Sequence, residues 1–275
     1  MNWAPAGLVI DMDGVLYRGD VALAGLADFI AISARWPRVM LTNNSTLTAG
    51  DCAGKLRLLG APVPADSILT VADAVGGYLA ARFAPGTGAC VIGERPVREA
   101  VLAAGLLPGG HDAEVAIVGL DRGLGYRQLS EAMRVVRAGH PLVATSLDPV
   151  LLTADGAVPG AGAIVSALRA CTGAEPVCVG KPNPGFFVAA ADRLGLPASR
   201  LLVIGDSLTS DIAGGQAAGA RTALMLTGVT PAPWAGPGRG PAPDYVFASL
   251  PELTAFLAGQ PAPAASGEGE ERQWA

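Results

Sequence analysis

Two acidic segments hold the residues best spaced for chemistry, Asp11-Met12-Asp13-Gly14 and Gly205-Asp206-Ser207-Leu208-Thr209-Ser210-Asp211. In the first, carboxylates two positions apart leave a strand end on the same side, and Gly14 lets the chain turn sharply. Such a pair suits a metal ion or acid–base work; an acidic surface turn is the plain alternative. In the second, carboxylates flank hydroxyls, a hard-oxygen set that favours Mg²⁺ over zinc or copper. Asp206 is the expected ligand, while Asp211 stands behind it or complements a helix dipole. Lys181, in Gly180-Lys181-Pro182-Asn183-Pro184, puts an ammonium on a loop stiffened by prolines. Thr42-Asn43-Asn44-Ser45 offers a hydroxyl, amides and backbone N–H groups suited to phosphate oxygens. Singly, each has a structural reading as a polar turn or a solvated charge. Jointly they fit phosphoryl transfer to a carboxylate. A carboxylate approaching a phosphate dianion meets about 4 kcal/mol of repulsion per unit-charge pair at 4 Å and an effective dielectric near 20. Mg²⁺ and Lys181 offset it, while Thr42 and Asn43 fix orientation.

These residues need elements that bring them together. Four short apolar runs lead into them: Leu8-Val9-Ile10, Val39-Met40-Leu41, Val177-Cys178-Val179 and Leu201-Leu202-Val203-Ile204. Each reads as a strand buried on both faces, which belongs to a parallel sheet. In an open parallel sheet the ligand crevice lies beyond the carboxyl ends of the strands, so residues remote in sequence converge.

The pattern opens as βαβ, with a helix over 22–35 whose Leu26, Phe29, Ile30 and Ser33 share a face. Further helices are expected over 48–59, with Thr48 as N-cap and Gly60 as stop, and over 71–83. Strands near 89–92, 114–118 and 142–144 then alternate with helices near 96–104 and 126–138, an α/β unit of its own inserted into a larger one. The larger unit resumes with a strand over 177–180, a helix over 184–194 capped by Asn183, a strand over 201–204, a helix over 209–218 and a strand over 222–226. Thr230–Pro243 reads as a Pro/Gly-rich surface loop. A strand near Tyr245–Phe247 and a helix near 251–257 close the fold. The expected division is core over 1–82, inserted α/β domain over 83–178, core again over 179–259, and a disordered tail over 260–275.

Composition narrows the class. Of 275 residues, 51% are hydrophobic and 16% charged, which excludes a wholly disordered chain. A net charge of −5 and the lack of a Lys/Arg cluster argue against nucleic acid as partner. Cys52, Cys90, Cys171 and Cys178 are scattered, which points to a reducing compartment and away from structural zinc. No apolar run approaches the ~18 residues of a membrane span, and acidic Asp11 and Asp13 stand where a signal peptide needs its apolar stretch. No membrane partner and a cytoplasmic location are therefore expected.

With Asp11 through Gly19 as first motif, Thr42-Asn43-Asn44 as second, Gly180-Lys181-Pro182 as third and Gly205 through Asp211 as fourth, the chain resembles the haloacid dehalogenase superfamily of aspartate-nucleophile phosphatases. The TNN, VGKPNP and GDSLTSDI segments are similar to the subfamily that includes NagD and the 4-nitrophenyl, phosphoglycolate and pyridoxal phosphatases. The resemblance implies an α/β fold: a Rossmann-like parallel-sheet core with a large α/β cap inserted between the second and third motifs. It implies Mg²⁺-dependent hydrolysis of small phosphorylated metabolites through an aspartyl-phosphate on Asp11, with Asp13 protonating the leaving oxygen and then activating water. It places Asp11, Asp206 and the Asp13 backbone carbonyl at the metal, with Asp211 holding the metal's waters or Lys181. It also leaves a homodimer through the cap open.

Two departures stand out. The cap segment Thr145-Ser146-Leu147-Asp148-Pro149 has Leu147 where relatives carry a polar or cyclic residue, though Asp148 remains as a substrate-facing candidate. The fourth motif has Ser207 where many relatives have Arg or Asn. Two rival readings stay open: a noncatalytic phospho-aspartate switch and a phosphate-binding protein on a similar fold.

Overall fold

The computed structural model describes residues 3–153, 156–230, 232–233, 236, 238 and 240–263. Six parallel strands form the core sheet, in the order Tyr245–Phe247, Arg221–Met225, Leu201–Gly205, Gly7–Asp11, Arg38–Thr42, Ile68–Thr70. Counted along the chain, the order is 6-5-4-1-2-3, the doubly wound arrangement whose direction reverses between the first and fourth strands.

Strand alternation explains the double burial. Leu8 and Ile10 of the first strand pack with Phe29, Leu56 and Leu253 on one face, and Val9 packs with Phe186, Phe187 and Ala190 on the other. The helix Leu26–Ser33 buries the four residues that its periodicity singles out, Leu26, Phe29, Ile30 and Ser33. Thr48 caps Ala49–Leu58 in a reciprocal box with Asp51, and Asn183 caps Pro184–Leu194 by accepting from the Gly185 N–H.

A second sheet of five parallel strands makes the cap, in the order Val177–Cys178, Leu142–Ala144, Val115–Val118, Gly88–Ile92, Leu107–Pro108. This corrects one expectation. The Val177 run is not a buried core strand: Val177 and Cys178 form a two-residue edge strand of the cap sheet, and Val177 is 38% exposed. Lys181 therefore reaches the core from a linker. The helix Val71–Arg82 joins both layers, with Val71 in a core cluster and Val75 and Leu79 among cap side chains.

Other differences are local. The helix expected over 209–218 splits into a wide turn, Leu208–Ile212, in which the Ile212 N–H donates to the Ser207 carbonyl, and a short helix, Ala213–Ala217. After Asp148 come an antiparallel hairpin, Val150–Thr153 with Gly156–Pro159, and a helix, Ala161–Thr172, neither of which was expected. The tail over 260–275 lies, from residue 264 on, outside the described residues, as do parts of 230–243. Among the described residues no helix is long and apolar enough to cross a membrane, and the four cysteines are free.

Candidate active site

The topological switch point places the key carboxylates side by side. Asp11 ends the first core strand, and Asp206 follows Gly205, the last residue of the neighbouring fourth strand, with Ile10 paired to Ile204. On the other side the second strand ends at Thr42, whose neighbour Leu41 is paired with Asp11. Asp11, Thr42, Lys181, Asp206 and Asp211 are all buried.

Backbone shape is set by close approach. Gly14 has a φ of 80°, and a Cβ there would lie 2.2 Å from Asp206 Oδ2; only glycine permits that turn. At Gly205 a Cβ would lie 2.2 Å from the Asp211 side chain. The wide turn at 208–212, a type that recurs at functional sites, swings Asp211 back so that its Oδ2 accepts from the Ser207 N–H at 3.1 Å.

Lys181 sits between two carboxylates, its Nζ 2.6 Å from Asp11 Oδ1 and 2.7 Å from Asp211 Oδ1. Asn43 holds it from behind: its Oδ1 accepts from the Lys181 N–H at 2.8 Å and its Nδ2 donates to the Lys181 carbonyl at 3.1 Å. The Asn43 amide is thus committed at both ends to the lysine backbone. Thr42 Oγ1 accepts from the Asn44 N–H, and Asn44 Oδ1 caps its own turn at Thr46.

Electrostatics follow from burial. Desolvation works against the Lys181 charge, but Asp11 and Asp211 outweigh it and raise the ammonium above the usual lysine range. Burial raises the Asp11 carboxyl well above its ordinary value, opposed by Lys181 and reinforced by Asp211 and Asp206. Asp206 is pushed up to about 6 by burial and then by Asp211, against a hydrogen bond from the Val229 N–H at 2.6 Å. Asp13 is exposed to the cavity, yet the surrounding walls raise its carboxyl, with Lys55 and Lys181 pulling down.

Oxygen atoms of Asp11, Asp206 and Asp211 all lie within 4.8 Å of one another. Three buried carboxylates against one buried ammonium leave an excess of two negative charges, and buried charge is stable only when paired or metal-bound. A hard divalent cation fits both the donors and the charge. The metal-free protein has a testable consequence. Asp206, with a folded value of about 6 against 3.8 for the free carboxyl, binds more protons folded than unfolded between those values. Stability therefore falls as pH rises through that window, by about 3 kcal/mol at most. Scanning calorimetry should show thermal stabilisation by Mg²⁺ growing from about pH 5 to about pH 7; a constant increment would count against the charge assignment.

These residues floor a cavity of about 800 Å³ shared with the cap, which contributes Leu120, Ser146, Asp148 and the hairpin. Ser45 joins the two parts, its Oγ accepting from the Leu120 N–H at 3.1 Å, and Arg95 reaches Asp51 at 2.5 Å. All the expected site residues line this one cavity: Asp11, Asp13, Thr42, Asn43, Asp148, Lys181, Asp206 and Asp211. Arg18 of the first motif and Ser45 of the Thr42–Ser45 turn line it as well; missed was the Gly228-Val229 pair that closes on Asp206. That pair was legible by the same rule, since it lies just beyond the fifth core strand, Arg221–Met225.

Comparison with known proteins adds the following. Residues 8–107 match a family profile described as haloacid dehalogenase-like hydrolase, and residues 178–253 match a HAD-hydrolase-like profile. A D-glycerol 3-phosphate phosphatase of Mycobacterium tuberculosis is 36% identical over 228 residues, 82% of this chain and 64% of that protein. The chain thus spans less than two thirds of that relative. The 5'-nucleotidase YutF of Bacillus subtilis is 33% identical over 226 residues, 82% of this chain and 88% of that protein. Among solved structures, a glycerol phosphate phosphatase from Mycobacterium tuberculosis in complex with magnesium superposes with a TM-score of 0.84 at 33% identity, covering 92% of this chain and 78% of that one.

Proposed function

Because the chain belongs to the haloacid dehalogenase-like hydrolases, we propose that it is a Mg²⁺-dependent phosphatase of small phosphomonoesters, working through an aspartyl-phosphate on Asp11. The observation that carries this reading is the buried Asp11 carboxylate, 2.6 Å from the Lys181 ammonium, at the floor of a cavity that Asp13 also enters. The volume of about 800 Å³ suits a small metabolite, and the relatives' names, a glycerol phosphate phosphatase and a nucleotidase, support the substrate class.

An Asp11 oxygen attacks phosphorus as the bond to the leaving oxygen breaks. Asp13, whose carboxyl burial raises from its ordinary value, gives that oxygen a proton. The Asp13 carboxylate then takes a proton from water, whose oxygen attacks phosphorus. The bond to Asp11 breaks, and phosphate leaves. Lys181 has three N–H donors and spends two on Asp11 and Asp211, so the third serves a phosphate oxygen. Thr42 and the backbone at Asn43 orient the phosphate. Asp11, Asp206 and the Asp13 carbonyl would hold Mg²⁺, with Asp211 behind them, and the bound ion supplies positive charge beside the phosphoryl oxygens.

The test is turnover of 4-nitrophenyl phosphate. Hydrolysis with Mg²⁺, lost with EDTA and restored by added Mg²⁺, is the expected result. Stable phosphorylation of the protein without turnover would instead make it a phospho-aspartate switch.

A further inference from the structure

The short segment after the fifth core strand, Arg221–Met225, meets Asp206 from several directions. The Val229 N–H donates to Asp206 Oδ2 at 2.6 Å, and the Thr230 N–H donates to the Asp206 carbonyl at 3.1 Å. Gly228 lies against the same side chain, where a Cβ would stand 1.7 Å from Asp206 Oδ2. Side chain and backbone of Asp206 are thus both gripped by residues 228–230, and the carboxylate turns only if that segment moves.

Thr227 holds the segment in place. Its hydroxyl donates to the Gly14 carbonyl at 2.7 Å, 213 positions away in sequence, and its carbonyl accepts from Arg18 Nε at 2.6 Å. Just before it, the Leu226 N–H donates to the Phe247 carbonyl at 2.9 Å, which ties the segment to the last core strand. Gly14 also touches both parts directly, since a Cβ there would lie 2.2 Å from Asp206 Oδ2 and 3.0 Å from Gly228 Cα. Thr227 itself is half-buried and, unlike Gly228 and Val229, does not line the cavity. A threonine hydroxyl has one proton to give. Here it joins the turn that carries the Asp13 carbonyl to the segment that grips the Asp206 carboxylate, the two parts of the expected cation site.

We propose that Thr227 is a positioning residue for the divalent cation: it couples the Asp11–Arg18 turn to residues 228–230 and so keeps Asp206 and the Asp13 carbonyl in register for Mg²⁺. This rests on the Mg²⁺-dependent reading above and adds to it a residue outside the four motifs. Partners that orient a metal's ligands typically carry about 10–100-fold in metal affinity or activity.

Calorimetric titration of the metal-free full chain with Mg²⁺, without substrate, tests it, together with the Mg²⁺ dependence of 4-nitrophenyl phosphate turnover. Thr227→Val keeps the shape and removes the donor. It should weaken Mg²⁺ binding by about tenfold and raise the Mg²⁺ concentration for half-maximal turnover in proportion, with kcat at saturating Mg²⁺ within about threefold of the parent. Thr227→Ser restores the hydroxyl and should bring binding back to within about threefold of the parent. Arg18→Met supplies a sign. Removing a positive charge from the rim of the same cavity would by itself tighten Mg²⁺ binding, whereas releasing the Thr227 carbonyl should weaken it by about threefold. The proposal is overturned if Thr227→Val binds Mg²⁺ as the parent does, if Thr227→Ser is as weak as Thr227→Val, or if Arg18→Met binds as tightly as the parent or more so. Should Thr227→Val not fold, Arg18→Met, at an exposed position, decides alone. A parent that binds Mg²⁺ but hydrolyses no ester ends the phosphatase reading and leaves this inference to the titrations. A parent that binds no Mg²⁺ ends both.

Discussion

Asp11→Asn should lower 4-nitrophenyl phosphate turnover to background, on the order of 10⁴-fold or more, while raising the melting temperature of the metal-free protein. The two effects have one cause. The carboxamide keeps the size of the side chain but is no nucleophile, so the first P–O bond cannot form. It also removes one of three carboxylates crowded within 4.8 Å around a single ammonium. The cost of burying that charge, expressed in the raised pKa of Asp11, disappears with it. Calorimetry in EDTA and a steady-state assay in Mg²⁺ check the pair. Residual activity within about tenfold of the parent would remove Asp11 as nucleophile, and a lowered melting temperature would contradict the charge excess.

Lys181→Met should be the most damaging change to the fold and the site together. Its ammonium is 4% exposed and pairs with both Asp11 and Asp211. Removing it leaves two buried carboxylates without a counter-charge, for which about 3–5 kcal/mol is typical, or on the order of 10 °C in a chain of this size. A pH signature separates this from simple loss of packing. Without Lys181, the strongest influence holding the Asp11 carboxyl down is gone, so the folded state binds a proton more readily than the unfolded state over a wider range. The variant's stability should therefore recover as pH falls from about 7 to about 5. Urea titrations at several pH values would show it; a deficit independent of pH would mean that Lys181 acts through packing alone.

Some of this was legible because it is local. Thr48 and Asp51 cap one helix within three positions, and Asn183 caps another within two, so the short-range hydrogen bonds were readable from spacing. The helix Leu26–Ser33 was readable from its periodicity, because one face meets the core. The hairpin was not. All four residues of Gly156–Pro159 are exposed, so there is no alternation of buried and open positions to read. The helix over 209–218 was misjudged for a different reason: its first turn is widened by the Asp211 carboxylate returning to the Ser207 N–H, a preference that propensity does not carry.

The apolar run at Val177 shows where local reading stops. Its branched residues suit a strand, but hydrophobicity says nothing about which sheet receives it, and the cap sheet does. What the amino-acid order determined was the set of reactive groups and their position at strand ends: Asp11, Thr42 and Asp206 follow apolar runs, and strands of that kind direct such residues to one edge. Tertiary structure decided how those groups are spent. It set the Lys181 ammonium, 170 positions from Asp11, between two carboxylates, committed the Asn43 amide to the lysine backbone, and brought Asp148 of the inserted unit to the same cavity. The reason is that pairing across such separations depends on strand order and on how the inserted sheet closes over the core.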